Sequence, residues 1–182
     1  ILIATGGHPM IPDIPGKEHL VSSNECFQLE RLPDRIAIIG AGYIGVEFAS
    51  VMRSFGAAVT IVEALPRLVA AEDPAVSSAL EHAFKKRGMK ILLGAQDTKA
   101  TAGEGGATVT CTVKGKEQSL QAEKVLVGIG FEANVEGLGL DKIGVKVERG
   151  YVKVDPATMS TGVDGLWAVG DVTGILNMAH VA

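Results

Sequence analysis

One stretch, IAIIGAGYIGVEFASVMRSFGAAVTIVE from Ile36 to Glu63, limits what this chain can fold into more than any other. The apolar run Ile36 to Ile39 predicts a buried strand. Gly40-Ala41-Gly42-Tyr43-Ile44-Gly45 then fits a G-x-G-x-x-G turn into a helix whose apolar face is Ile44, Phe48, Val51, Met52 and Phe55, stopped at Gly56. A second apolar run, Val59 to Val62, ends on an acid, Glu63. Strand, glycine turn, helix, strand and acid in this order make a dinucleotide-binding unit. Gly40 supplies the tight turn, Gly42 the backbone a pyrophosphate can approach, and Gly45 the close seat of helix on strand. Phosphates then rest at the helix N-terminus, where free N–H groups and the macrodipole favour anions. Glu63 is placed to accept hydrogen bonds from both hydroxyls of an adenosine ribose. A 2′-phosphate would meet a carboxylate there, so the expected ligand is NAD rather than NADP.

With 182 residues, 47% of them hydrophobic, the chain can bury one good core or one core with attached pieces. A net charge of -4 without a basic cluster argues against nucleic acid. No apolar run reaches the roughly 18 residues of a membrane span, and no signal peptide is visible. Cys26 and Cys111 stand far apart, which predicts two reduced thiols in a cytoplasmic protein, and no metal site is expected. Ile1 opens directly into an apolar run and NMAHVA closes the chain on a helix-like pattern, so an excised segment of a longer polypeptide is expected.

Along the chain, Ile1 to Ala4 predicts a short strand leading into Thr5-Gly6-Gly7 and a Pro-rich connection. Ser23 to Leu32 predicts a short helix capped by Ser22 or Ser23, and Pro74 to Arg87 a longer one with Asp73 as cap and Gly88 as stop. Lys90 to Leu93 predicts the next strand. Ala107 to Val113 and Gln118 to Ala122 predict an antiparallel hairpin turning at Lys114-Gly115-Lys116, before a final parallel strand over Val125 to Ile129. The expected fold class is therefore α/β: a three-layer, Rossmann-like parallel sheet with helices and an inserted antiparallel β-meander.

Two further patterns matter. ILIATGGHP at the start and VLVGIGFEA at Val125 to Ala133 share an apolar strand followed by glycine and a loop, as the same strand would in two related nucleotide domains. Leu166 to Val169 predicts a strand, with Gly170-Asp171-Val172-Thr173-Gly174 at its carboxyl end, where open α/β sheets bind ligands.

The order of these motifs resembles the flavin-dependent pyridine nucleotide-disulfide oxidoreductases. It is carried by ATGG (Ala4 to Gly7), GAGYIGVEFA (Gly40 to Ala49), IVEALPRLV (Ile61 to Val69), VLVGIG (Val125 to Gly130), WAVGDVTG (Trp167 to Gly174) and the MAHVA ending. Within that family the chain looks closest to the branch that oxidises dihydrolipoamide, through Glu63, EALPRLV and AHVA, while FQLE and GAGYI look equally like the glutathione-reducing branch.

The resemblance implies an FAD/NAD(P)-binding domain fold in which residues 1–7 end an FAD domain, 8–130 form the NAD domain, and 131–182 return towards the FAD and central domains. It implies NAD contacts at Gly40, Gly42, Tyr43, Ile44, Gly45, Glu47, Glu63, Gly128 and Gly130, with Tyr43 and Glu47 near nicotinamide and flavin. It implies FAD contacts at Thr5, Gly6, Gly170, Asp171, Ala179 and His180 in a longer protein that is a homodimer and acts on a lipoyl substrate or lipoyl domain. Electrons would run between NAD and a redox disulfide through the flavin. The segment holds no cysteine pair and half of a flavin site, so by itself it is expected to bind nucleotide without catalysis. Phe131-Glu132-Ala133-Asn134 stands where many relatives carry Arg-x-Pro-Asn, which implies one cation fewer near the dinucleotide. A glutathione- or mercuric-ion-reducing relative and a non-redox NAD(H) sensor module remain the alternatives.

Overall fold

The computed structural model describes residues 1–103 and 105–178, which fall into two compact units. The larger, Pro9–Gly130, contains in chain order β1 (Leu20–Val21), α1 (Ser23–Cys26), β2 (Arg35–Ile39), α2 (Tyr43–Ser54), β3 (Ala58–Glu63), α3 (Pro74–Lys86), β4 (Lys90–Leu93), β5 (Gln96–Gly103), β6 (Gly106–Val113), β7 (Lys116–Ala122) and β8 (Lys124–Val127). Five of these strands form one parallel sheet in the order β1-β8-β2-β3-β4.

The central strands are almost wholly apolar, with Thr60 the one polar residue between Val59 and Val62, because both their faces are covered. Successive side chains point to opposite faces, so Ile36, Ile38 and Ile61 meet Val46, Phe48, Ala49 and Met52 of α2 and Phe84 of α3. Ala37, Ile39 and Val125 instead meet Ala100, Ala107, Val109 and Ala122 of the β5-β6-β7 meander. Helices, parallel sheet and antiparallel meander are thus the three layers. Helix α3 begins where expected: the Asp73 side chain accepts the Ala75 N–H at 2.7 Å, Pro74 occupies the first turn, and Gly88 at φ +80° ends it.

The structure departs from the sequence reading in four places. Helix α1 is one turn, not Ser23 to Leu32. Its capping box is complete, with the Ser22 N–H donating to Glu25 at 2.8 Å, but Phe27 is exposed and Pro33 disfavours helix at Leu32, so nothing beyond Cys26 holds a second turn. Strand β5 is additional and pairs antiparallel with β6, making three strands of the hairpin. Strand β8 ends at Val127 rather than Ile129, because Gly128 already turns to donate its N–H to the Ile39 carbonyl at 2.8 Å. Asn177 and Met178 are not helical, and the rest of the NMAHVA ending lies outside the described residues.

The smaller unit joins Ile1–His8 to the segment from Phe131 onward. Leu2–Ile3 pairs in parallel with Trp167–Ala168 over a core of Ile3, Ala133, Leu140, Val145, Val152, Leu166, Ala168 and Val172. Its remaining regular structure is short and includes the strand Phe131–Ala133, an antiparallel pair, Val147–Glu148 with Tyr151–Val152, and single 3-10 turns at Leu140–Ile143 and Gly170–Thr173. Among the described residues no helix is long and apolar enough to cross a membrane. Cys26 and Cys111 are both buried and unpaired, and burial pushes the Cys26 thiol up to about 11.

Candidate functional site

At the carboxyl ends of β2, β3 and β8 lies a cleft of about 410 Å³. It is built on an interlock of three glycines. Gly40, at φ +100°, could carry no side chain, since a Cβ there would stand 2.5 Å from the Gly128 carbonyl oxygen. A Cβ on Gly45 would stand 2.0 Å from the Gly40 oxygen, and one on Gly128 within 3.3 Å of the Gly45 backbone. Gly42 is different. Its Cβ would meet nothing within 4 Å, and it faces the open cleft. Gly40, Gly45 and Gly128 are needed by the protein itself, whereas the space above Gly42 is free for something from outside.

Gly42 also begins α2, with no side-chain cap and no acid in the first turn. The N-terminal N–H groups and the macrodipole therefore point at the cleft with no acidic side chain in the helix's own first turn. Glu63, at the end of β3, is 8% exposed and holds two backbone amides: Oε2 accepts the Ala41 N–H at 2.5 Å and Oε1 the Leu65 N–H at 2.7 Å.

The cleft gathers Gly40, Gly42, Tyr43, Ile44, Glu63, Gly128 and Gly130, with Gly45 buried beneath it. Glu47, one turn beyond Tyr43 on α2, is exposed and outside the lining. Among the lining residues that escaped the sequence reading are Leu65, Ala70, Ala71 and Thr98. The first three lie on the loop after Glu63. Arg67 fastens that loop, donating to the Glu72 carbonyl at 2.8 Å and the Ala70 carbonyl at 2.5 Å, while the Val69 N–H reaches back to Ala41 O at 2.8 Å. Thr98 arrives through an irregularity in β5, where the register shifts between Gln96 and Lys99 and Asp97 sits at φ +52°. Bulges re-aim side chains in this way, and no residue pattern in QDTK announces one. Among the described residues no Lys, Arg or His lines the cleft.

In the smaller unit the parallel pair sets Thr5-Gly6 and Gly170-Asp171 past the carboxyl ends of adjacent strands. Asn134 braces this end: it accepts the Thr5 hydroxyl through its carbonyl at 2.7 Å, donates from Nδ2 to the Thr5 carbonyl at 2.8 Å, and approaches His8 Nδ1 through Oδ1 at 2.7 Å. The Asp171 carboxylate makes no hydrogen bond or ion pair among the described residues. Ala179 and His180 lie outside the described residues. Phe131, in the position of the absent arginine, uses its carbonyl to accept the Tyr151 hydroxyl at 2.9 Å.

The family model described as pyridine nucleotide-disulphide oxidoreductase matches residues 1–182. The chain belongs to this family. Among curated members, it is 44% identical to a dihydrolipoyl dehydrogenase of Mycobacterium tuberculosis (strain ATCC 25618 / H37Rv) over all of its own length and 39% of that protein's, and 37% identical to one of Bacillus subtilis (strain 168), again over 39% of the longer chain. The chain thus spans about two fifths of the curated relatives it matches. Among solved members, LpdA of Mycobacterium tuberculosis superposes with a TM-score of 0.87 at 33% identity, covering 100% of this chain and 39% of that one. The HOCl-induced flavoprotein disulfide reductase RclA of Escherichia coli superposes with a TM-score of 0.87 at 29% identity, covering 99% and 41%.

Proposed function

We propose that this chain is the NAD-binding part of a flavoprotein dihydrolipoyl dehydrogenase, with Pro9–Gly130 carrying the dinucleotide and the smaller unit contributing part of an FAD site. The observation that carries the reading is the cleft, which combines an uncapped helix N-terminus, open space above Gly42 and a buried carboxylate at the end of the next strand. Gly40, Gly42, Gly45, Gly128 and Gly130 give the pyrophosphate a side-chain-free path, Tyr43 and Ile44 wall the cleft, and Glu63 receives the adenosine ribose. Glu47 and Tyr43 extend along α2 towards the nicotinamide end. Thr5, Gly6, Gly170 and Asp171 suit a polyhydroxylated chain, since they bring a bare carboxylate to the end of a parallel strand pair. Bound FAD would pass electrons between the nicotinamide and a disulfide supplied from beyond this segment. We read its setting as a homodimeric, cytoplasmic enzyme acting on a lipoyl group, the last after the name dihydrolipoyl dehydrogenase that the curated relatives carry.

The likeness to RclA favours a second reading, in which the same nucleotide unit serves a reductase of another disulfide or oxidant. Both readings share the first test. NADH should bind this chain more tightly than NADPH by about 2 kcal/mol, because the extra phosphate meets the Glu63 carboxylate. Equal or tighter binding of NADPH in calorimetry overturns the assignment of Glu63. Dihydrolipoamide oxidation by the longer enzyme then separates the two readings.

A further inference from the structure

Glu63 does more in this structure than wait for a sugar. Its two oxygens are occupied by backbone N–H groups from opposite walls of the cleft, Ala41 in the glycine turn at 2.5 Å and Leu65 in the loop after β3 at 2.7 Å. Each wall is anchored behind the contact. Gly40 donates to the Val62 carbonyl at 2.9 Å, and the Leu65 carbonyl accepts the Gly94 N–H at 3.0 Å. The loop and the turn are joined once more, by the Val69 N–H to the Ala41 carbonyl at 2.8 Å.

An ionised carboxylate offers about four acceptor positions on two oxygens. Two are used by the protein, which leaves two for the hydroxyls of a ribose. We infer that Glu63 is a positioning residue for the whole cleft, a bracket that sets the distance between the glycine turn and the following loop before any nucleotide arrives. This inference rests on the dinucleotide reading for its ligand, but the bracket itself is made by the chain's own atoms. It also explains why an acid rather than an amide serves here. Glutamine has one oxygen and one NH2 group, so one of the two walls would face a donor with a donor in a buried place, even though glutamine can still hydrogen-bond a sugar.

The test compares wild type with Glu63→Gln, using NADH and an NADH analogue whose adenosine ribose lacks both hydroxyls. A residue that only recognises the sugar gives the analogue equal affinity for both proteins. A bracket makes the analogue bind about tenfold more weakly to Glu63→Gln, the effect of losing one hydrogen bond to a charged group. Amide hydrogen exchange supplies the readout that needs no ligand: Ala41 or Leu65 should exchange about tenfold faster in the variant while Ile61 in β3 keeps its protection. Equal analogue affinity with unchanged exchange overturns the bracket. If wild type binds neither nucleotide, the dinucleotide reading fails and exchange alone decides the bracket. Should Glu63→Gln fail to fold, wild type still answers. Scalar couplings across the hydrogen bonds, from the Ala41 and Leu65 amide nitrogens to the Glu63 carboxyl carbon, must be present in NMR spectra without NADH, and their absence overturns the proposal.

Discussion

The two units reach order by different means. In Pro9–Gly130 the sheet strands β2 and β3 run five and six residues, and apolar layers cover both of their faces. In the smaller unit the parallel strands are two residues each, and much of the chain is held by single side chains bonded to backbone, as Asn134 holds Thr5, Asp155 holds Ala157 and Thr158, and Tyr151 holds Phe131. Burying apolar area stabilises by roughly 25 cal/mol per Å² over a whole layer, whereas one such bond contributes about 1 kcal/mol. The larger unit therefore owes its shape to a distributed core. The smaller adds, to one cluster of eight buried apolar residues, side-chain-to-backbone bonds that a single mutation can remove.

Four experiments press on that contrast, the first three within the larger unit. Gly45→Ala places a Cβ 2.0 Å from the Gly40 carbonyl in a place with no room to yield, and should cost about 3 kcal/mol in urea unfolding. A wild-type midpoint would mean that the glycine interlock is softer than its geometry. Gly42→Val should do the opposite, leaving the unfolding midpoint in place and removing NADH binding, because its side chain fills space that the protein does not use. Unchanged NADH affinity by calorimetry would put the phosphates elsewhere.

The third experiment uses pH. Burial raises the Cys26 thiol from an ordinary 9.0 to about 11 in the folded chain. Below pH 9 both states hold the proton and the group has no effect on stability. Between about pH 9 and 11 the unfolded chain loses the proton first, so stability should fall across that window, and Cys26→Ser should flatten the slope. A melting midpoint that holds constant from pH 8 to 11 contradicts the buried thiol. The smallest expected effect belongs to the smaller unit: Asp171→Ala should leave NADH affinity unchanged while weakening flavin retention in the longer enzyme. A tenfold loss of NADH affinity in the present chain would assign the Gly-Asp turn to the wrong nucleotide.

Where the sequence was legible, it was because one physical constraint acted on several residues at once. Burial on two faces made β2, β3 and β8 predominantly apolar runs, and caps at Asp73 and Gly88 bounded α3 to within a residue. The glycine turn was visible because backbone crowding permits no other residue at Gly40 and Gly45. Strand β5 was not visible: in QDTKATAG the one side chain at 0% exposure is Ala100, and the others face solvent or the cleft edge, so no alternation of large apolar residues marks it. Helix α1 was overextended because Ser22 and Glu25 signal a start with full strength, while its end depends on Phe27 finding no core beyond Phe48. Thr98 and the loop lining at Ala70 and Ala71 reach the cleft through tertiary bonds, chiefly those of Arg67, which neighbouring residues do not encode. Glu63 was half legible. Its position announced an acid at the end of the strand, but its bonds to Ala41 and Leu65 are a fact of three dimensions.

Strand order carries a consequence for how the chain comes off the ribosome. β8 lies between β1 and β2, yet it is the last strand of its sheet to be synthesised, after the whole meander. Until Lys124–Val127 emerges, β2 has a bare edge where its neighbour belongs, and the meander has only part of its seat. A nascent chain stalled before that point would present open backbone and apolar surface to whatever surrounds it, and the meander's length sets how long that interval lasts.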